Sequence, residues 1–345
     1  MSYMWKEIMQ QPDVLKRCIK TNEEVINALT AEIRQGNIKF VVISARGTSD
    51  NAAVYGKYVF EILMGLPVML AAPSVFTLYN GSLNFENSLV IGISQSGEAL
   101  DVAQVLKSAN ERGAITVSIT NFPNSPLAKM SKYHLFCDAG LEKSVAATKT
   151  FTSQMYLLGN LAAKLANNAN LMDELSTVPD NMSKIFEIAD DIKTTAERYH
   201  FVKEMFVLAR GINYCIALET ALKIQETTYV GAKAFATSDF HHGPMAMIEK
   251  GTPVVIYAPS GPSLNDVIGM ISELKNSEVD LLVVSDKQEV CDLGNSSFKV
   301  PCSGSDFISP FYNIAVAQML ACYLALEKGL NPDNPRILKK ITLTR

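Results

Sequence analysis

Paired cysteines are missing from this sequence. Its six cysteines (Cys18, Cys137, Cys215, Cys291, Cys302 and Cys322) are scattered, with no CxxC spacing. That excludes a disulfide framework and the usual zinc spacings, and fits reduced thiols in a cytosolic protein. Excess positive charge is missing too. Lys plus Arg total 31 against 35 Asp plus Glu, a net charge of −4, so no basic footprint argues for a nucleic-acid partner. The apolar run from roughly Ile62 to Pro73 is broken by Gly65 and Pro67 and falls short of the ~20 residues that span a bilayer. The opening MSYMWKEIMQQ has no basic stretch followed by an apolar one, so no signal peptide is expected. Walker, Rossmann, nucleophile-elbow and HExxH signatures are also absent. These gaps lead us to expect a cytoplasmic protein with no membrane segment and no bound metal.

What is present is ordinary globular material. Hydrophobic residues make up 48% and charged residues 19% of 345 positions, enough for two domains with buried cores. An internal repeat organises them. FVVISARG ends at Gly47 and MFVLARG at Gly211, and SLVIGISQSG ends at Gly97 and TPVVIYAPSG at Gly261; both separations are 164 residues (211 − 47 and 261 − 97). Two matches at one offset argue for duplication of a whole domain. Within each copy, short apolar strands alternate with amphipathic helical patterns, which predicts an α/β fold of two doubly wound parallel sheets. The boundaries expected are a helical segment over 1–36, a first domain over 37–170, a helical connector over 171–200, a second domain over 201–330 and a tail over 331–345.

Such sheets bind ligands beyond the carboxyl ends of their strands. Ser94-Gln95-Ser96-Gly97-Glu98 follows one strand and leads into a helix, where hydroxyls, an amide and backbone N–H groups suit a phosphate. Gly47-Thr48-Ser49 follows the first strand in the same way, and Ala147-Thr148-Lys149 precedes another helical stretch. Helix capping by Ser and Thr is the plainer explanation of any one such loop; three together favour a ligand. The equivalent loop of the second copy, Ala258-Pro259-Ser260-Gly261-Pro262, has two prolines and no glutamine. Phosphate binding is therefore expected in the first copy alone.

The second copy offers chemistry instead. In NYCIALETALKIQETTY, Glu219, Lys223 and Glu226 fall within roughly 60° of one another at the edge of an apolar band. A carboxylate beside an apolar wall makes a reasonable general base; a solvated i, i+4 Glu–Lys pair is the alternative. Downstream, Asp239, His241 and His242 precede Gly-Pro. Adjacent histidines diverge, so at most one acts as an acid–base group, and a hydrogen-bonded turn histidine is the other reading. Near the end, NPDNPRILKKITLTR keeps two lysines, either a surface tail or a lid whose lysine meets a substrate oxygen or carbonyl.

Taken together, ARGTS, ISQSGE, VAATKTFT, ALETALKIQETTY, HHGPMAMI and DNPRILKK resemble the family of SIS-domain amino-sugar phosphate isomerases and deaminases. It comprises the isomerase half of glutamine–fructose-6-phosphate amidotransferase and the stand-alone glucosamine-6-phosphate deaminases. The resemblance spans nearly the whole chain. It implies two tandem SIS domains, flavodoxin-like sandwiches, with a small sugar phosphate as ligand and no cofactor. By position, Ser49, Ser94, Gln95 and Ser96 match its sugar-phosphate binders, and Thr48 and Ala147 lie in the same loops. Glu226 matches the glutamate that moves a proton between C1 and C2, with Glu219 and Lys223 its acid–base neighbours. His242 matches the ring-opening histidine, supplied in the family by the other subunit of a homodimer. Lys340 matches a lysine able to form a Schiff base with the open-chain ketose, and the tail is expected to close the site.

Two hydroxyls of the family pattern are missing here, at Ala99 and Ala147. No glutaminase segment or nucleophilic cysteine follows Met1, so deamination of glucosamine 6-phosphate to fructose 6-phosphate and ammonia is the expected reaction. Cleavage of a phosphorylated fructosamine and deamination of galactosamine 6-phosphate are alternatives that residues around Lys143 and Ala147 would decide. A non-catalytic sugar-phosphate sensor is a further one, disfavoured because Glu226, His242 and Lys340 occur together and no recognition helix is evident.

Overall fold

The computed structural model describes residues 1–340. Helices α1 (Tyr3–Met9) and α2 (Gln11–Gln35) lead into β1 (Phe40–Ser44), α3 (Thr48–Met64), β2 (Val68–Leu70), α4 (Ser74–Thr77), β3 (Ser88–Ile93) and α5 (Leu100–Glu111). There follow β4 (Ile115–Thr120), α6 (Pro126–Met130), β5 (Tyr133–Phe136), α7 (Lys149–Leu165), α8 (Ala169–Ile185) and α9 (Ala189–Arg198). The second half runs β6 (Glu204–Ala209), α10 (Tyr214–Thr228), β7 (Gly231–Ala236), α11 (Thr237–Phe240), β8 (Pro253–Tyr257) and α12 (Leu264–Asn276). It ends with β9 (Asp280–Ser285), α13 (Gln288–Cys291), β10 (Ser296–Lys299) and α14 (Ser309–Glu327).

These elements form two compact units. The β1–β5 unit comprises Asp13–Glu142 and Lys149–Leu175 with residues 339–340; the β6–β10 unit comprises Met1–Pro12, Lys143–Thr148 and Ser176–Leu338. Each contains a five-stranded sheet, ordered β2-β1-β3-β4-β5 in one and β7-β6-β8-β9-β10 in the other. Every pairing is parallel. Renumbered within its own copy, the second order equals the first, as duplication requires. It is the 2-1-3-4-5 order of flavodoxin-like sheets, whose switch point lies between the first and third strands.

Burial explains the strand sequences. SLVIGI and ITVSIT are buried at every position, so they read as continuous apolar runs without alternation. One core gathers Val42, Val90, Val105 and Leu106 around Phe85; the other gathers Leu208, Val254, Ile256, Val267 and Leu281 around Phe240. Gly65, in the left-handed region at φ 64°, ends α3 with its N–H on the Glu61 carbonyl. Helix α14 is apolar enough to cross a membrane by length and composition, yet 89% of its apolar window is buried, so it is a core helix. All six thiols are free and five are buried.

Strands β5, β7, β9 and β10 were not named in the sequence, and two of them show why. β5 is only Tyr-His-Leu-Phe, with three of its four residues half-buried. β7 is Gly-Ala-Lys-Ala-Phe-Ala, an edge strand carrying exposed Gly231 and Lys233. Neither offers the apolar run that marks the central strands.

Candidate functional site

Within the β1–β5 unit, the loops after β1 and β3 lie at the switch point. Ser44 pairs with Gly92, so the two chains leave the sheet side by side. After β3, Gly97 adopts φ 69°, and a Cβ there would stand 2.1 Å from the Ser125 hydroxyl; only glycine fits. Ser94 accepts from the Gly97 N–H at 3.1 Å, and Ser96 accepts from the Glu98 N–H at 3.2 Å. The two serines thus hold the turn through their acceptor lone pairs and keep their O–H donors for a ligand. Among the described residues, the Gln95 side chain and the N–H groups of Gln95 and Ser96 have no partner. After β1, Gly47 at φ 56° precedes α3, whose first turn carries Thr48 and buried Ser49. Both loops therefore present donors at the start of a helix or just before it, the arrangement that suits an anion.

The third hydroxyl loop is placed differently from the expectation of neighbouring strands. Ala147 and Thr148 follow β5, two strands away from β3, and Lys143–Thr148 packs with the β6–β10 unit. There the Thr148 carbonyl accepts from Gln318 of α14 at 3.3 Å.

The pseudo-equivalent loop of the β6–β10 unit is built on carboxylates. Ser260 N–H donates to Asp286 at 2.7 Å, and the Asp306 carboxylate stands where a Gly261 side chain would project. Burial, with the Asp286 charge added, pushes Asp306 up to about 6. Two acidic side chains there oppose a second anion.

Helix α10 packs against α14, β6 and β7. Its Lys223 is fully buried, 3.4 Å from Glu219, also fully buried, and 2.5 Å from Glu226, which retains 22% exposure. The solvated surface pair that spacing allowed is thus not what forms. Burial opposes the Lys223 charge, but the two carboxylates outweigh it and raise its pKa above the ordinary lysine value. Glu226, at the open end of the cluster, is the carboxylate with access to solvent. The helix ends at Tyr229, whose φ of 61° is unusual for an aromatic residue. Its hydroxyl accepts from the Arg336 N–H at 2.8 Å, and its ring lies 4.0 Å beneath the Arg336 guanidinium.

The two histidines diverge. His241 lies 3.6 Å from Glu273 of α12. His242 is exposed, and within the chain its side chain contacts no described residue by hydrogen bond or ion pair, Glu226 included. Lys340 donates to Glu142 at 2.7 Å. Sequence reasoning missed Glu142, which sits in an irregular loop after an unread strand; its burial is a property of the fold, and no spacing signals it. It also missed Asp101, buried in the first turn of α5, which pairs with Arg46 at 2.7 Å. Among the described residues, no three His, Cys, Asp or Glu side chains gather as metal ligands would.

Comparison with known proteins adds to this geometry. The model of the SIS domain matches residues 37–164 and again 200–328. The glutamine–fructose-6-phosphate aminotransferase (isomerizing) of Methanothermobacter thermautotrophicus is 35% identical over 98% of the chain, and that of Thermococcus kodakarensis 33% over 98%. The chain spans 57% of the length of each. The C-terminal domain of glucosamine-fructose-6-phosphate aminotransferase from Francisella tularensis superposes with a TM-score of 0.86 at 27% identity, covering 97% of this chain and 98% of that one.

Proposed function

This chain belongs to the SIS-domain family, and from that premise we propose that it is an amino-sugar phosphate deaminase and isomerase, converting glucosamine 6-phosphate to fructose 6-phosphate and ammonia. The observation that carries the reading is the buried Glu219–Lys223–Glu226 cluster of α10. Desolvating three charges is expensive, and a protein that only held a sugar phosphate would have no use for them.

In this reading Ser49, Ser94, Gln95 and Ser96 hold the phosphate and so fix where the reacting carbons stand, an orientation effect that can exceed acid–base assistance. His242 of the partner subunit opens the ring; an exposed imidazole without a hydrogen-bond or ion-pair partner among the described residues is in keeping with a homodimer. Glu226 removes the proton from C2 and delivers it to C1, which converts the aldehyde amine to a C2 imine with no change in atom count. Lys223 holds Glu226 in place through the 2.5 Å ion pair. Water then adds to C2, the C–N bond breaks, and ammonia leaves. Each proton transfer contributes roughly 10²–10⁴-fold. The substrate's own carbonyl and amine accept the electrons, so the scheme uses no cofactor. The same residues run the reverse amination when ammonia is supplied, a direction favoured by the names of the relatives matched along almost the entire chain.

The test is ammonia release from purified protein given glucosamine 6-phosphate, with fructose 6-phosphate measured in the same sample. Stoichiometric appearance of both supports the reading. Tight binding of the sugar phosphate with no turnover would overturn it.

A further inference from the structure

Glu142 is fully buried, and its carboxylate ties three donors together. Oε1 accepts from the Thr150 backbone N–H at 3.2 Å, and Oε2 from the Thr150 hydroxyl at 2.8 Å, both in the first turn of α7. Oε2 also receives Lys340 Nζ at 2.7 Å. The carboxylate is therefore fixed by a helix start, where negative charge is favoured. Lys340 ends a stretch without helix or strand, in which residues 336–339 are exposed and Ile337 is 94% accessible.

We infer that Glu142 is the positioning residue that sets where the Lys340 amine stands, and that it acts on turnover only through that lysine. The inference rests on the proposed reading, with Lys340 taken, as the family resemblance implies, to meet the open-chain sugar. A lysine on an exposed tail samples many rotamers. Anchored at 2.7 Å to a carboxylate fixed by a helix start, its amine occupies one place, and a misplacement of ~1 Å can lower a rate by two orders of magnitude. The carboxylate also gains, because losing the ammonium would leave a buried anion with one fewer donor. The pair thus serves as a latch for the tail and as a sight for the amine.

Two arms test this on the full chain. Limited trypsin digestion of the native protein reads the latch without any substrate, at the bond after Lys339. E142Q should speed this cleavage ~10-fold by releasing Lys340. K340Q, which leaves the α7 contacts untouched, should do the same, so a folding defect of E142Q is separable. The kinetic arm uses glucosamine 6-phosphate. E142Q should lower kcat/KM by ~10- to 100-fold, mostly through kcat, E142D should recover part of that loss, and E142Q in the K340Q background should change kcat/KM less than twofold. Protease resistance of E142Q and K340Q equal to the parent would overturn the latch. A further loss of activity on adding E142Q to K340Q would overturn action through the lysine. Should the parent itself release no ammonia, the deaminase reading falls while the protease arm still decides the latch.

Discussion

The α10 cluster makes the sharpest physical prediction, through Lys223→Met. Methionine matches the aliphatic length of lysine and removes only the ammonium. Two contacts are lost, at 3.4 Å to Glu219 and 2.5 Å to Glu226. At an effective dielectric of ~20 their Coulomb energies are about 5 and 7 kcal/mol. Desolvation offsets most of that, and removing one partner of a buried pair typically costs ~3–5 kcal/mol net. Against a domain stability of ~5–15 kcal/mol, that is a large fraction. The sole tryptophan, Trp5, belongs to the β6–β10 unit and lies 4.7 Å from the Tyr323 ring of α14. Its fluorescence in a urea titration therefore reports the unit that contains α10. K223M should shift that transition to lower urea and abolish turnover. The pH dependence has a defined sign. Because the folded state raises the Lys223 pKa, its stabilisation is complete below the free lysine value of ~10.4 and is lost as pH climbs through the raised value. The parent should lose stability on the alkaline side and K223M should lack that component. A K223M transition within about 1 kcal/mol of the parent at pH 7 would refute the reasoning, since the buried carboxylates would then not depend on the ammonium.

Three further outcomes follow from named contacts. Glu226→Gln should lower kcat by ~10²–10⁴-fold while the dissociation constant of the sugar phosphate, read by calorimetry, changes little. Gly97→Ala forces a side chain against Ser125 in a left-handed turn. It should cost at least ~1–2 kcal/mol locally and weaken inorganic phosphate binding, with Ser125→Gly restoring part of the affinity. Asp306→Asn removes a carboxyl that burial, aided by Asp286, pushes up to about 6. A raised carboxyl stabilises the fold at low pH and loses that contribution as pH rises from ~4 toward its folded value. D306N should therefore melt above the parent at pH 7, with the gap closing as pH falls through that window in calorimetric scans.

The sheets were legible at strands buried on both faces that also stand at the repeat offset. SLVIGI and PVVIY announce themselves because neither face needs a polar residue, and their common offset of 164 exposes the duplication. The edge strands β5 and β7 were not legible, because half-burial permits His134 or Lys233 within the strand. The stripe Glu219–Lys223–Glu226 was visible as a spacing, but whether it faced water depended on α14 and β6, which no local pattern encodes. Glu142 and Asp101 were invisible for a related reason. A lone carboxylate in a loop or a first helical turn has the same sequence signature whether it is solvated or buried beneath a cation.

Duplication also explains why the two switch points differ. An ancestral loop with free donors suits an anion, and one copy suffices for one phosphate. In the β1–β5 unit, Ser94 and Ser96 hold the turn by accepting from backbone N–H groups, which on the proposed reading leaves their hydroxyls to donate to the phosphate. In the β6–β10 unit the corresponding N–H of Ser260 is already occupied by Asp286, and Asp306 stands against Gly261. On the proposed reading, the carboxylates of Asp286 and Asp306 stand where the first copy would hold an external anion. The helix that follows the first strand diverged in parallel. Helix α3 carries hydroxyls and a single acid, Asp50, in its first turn, while α10 carries buried Glu219 and Lys223 and, near its end, the partly exposed Glu226. On the proposed reading, the same topology yields a binding copy and a proton-transferring copy. The expected consequence is that substitutions at Ser94 or Ser96 raise KM, whereas those at Glu226 or Lys223 lower kcat; a kcat loss at Ser94 equal to that of Glu226→Gln would show that the division does not hold.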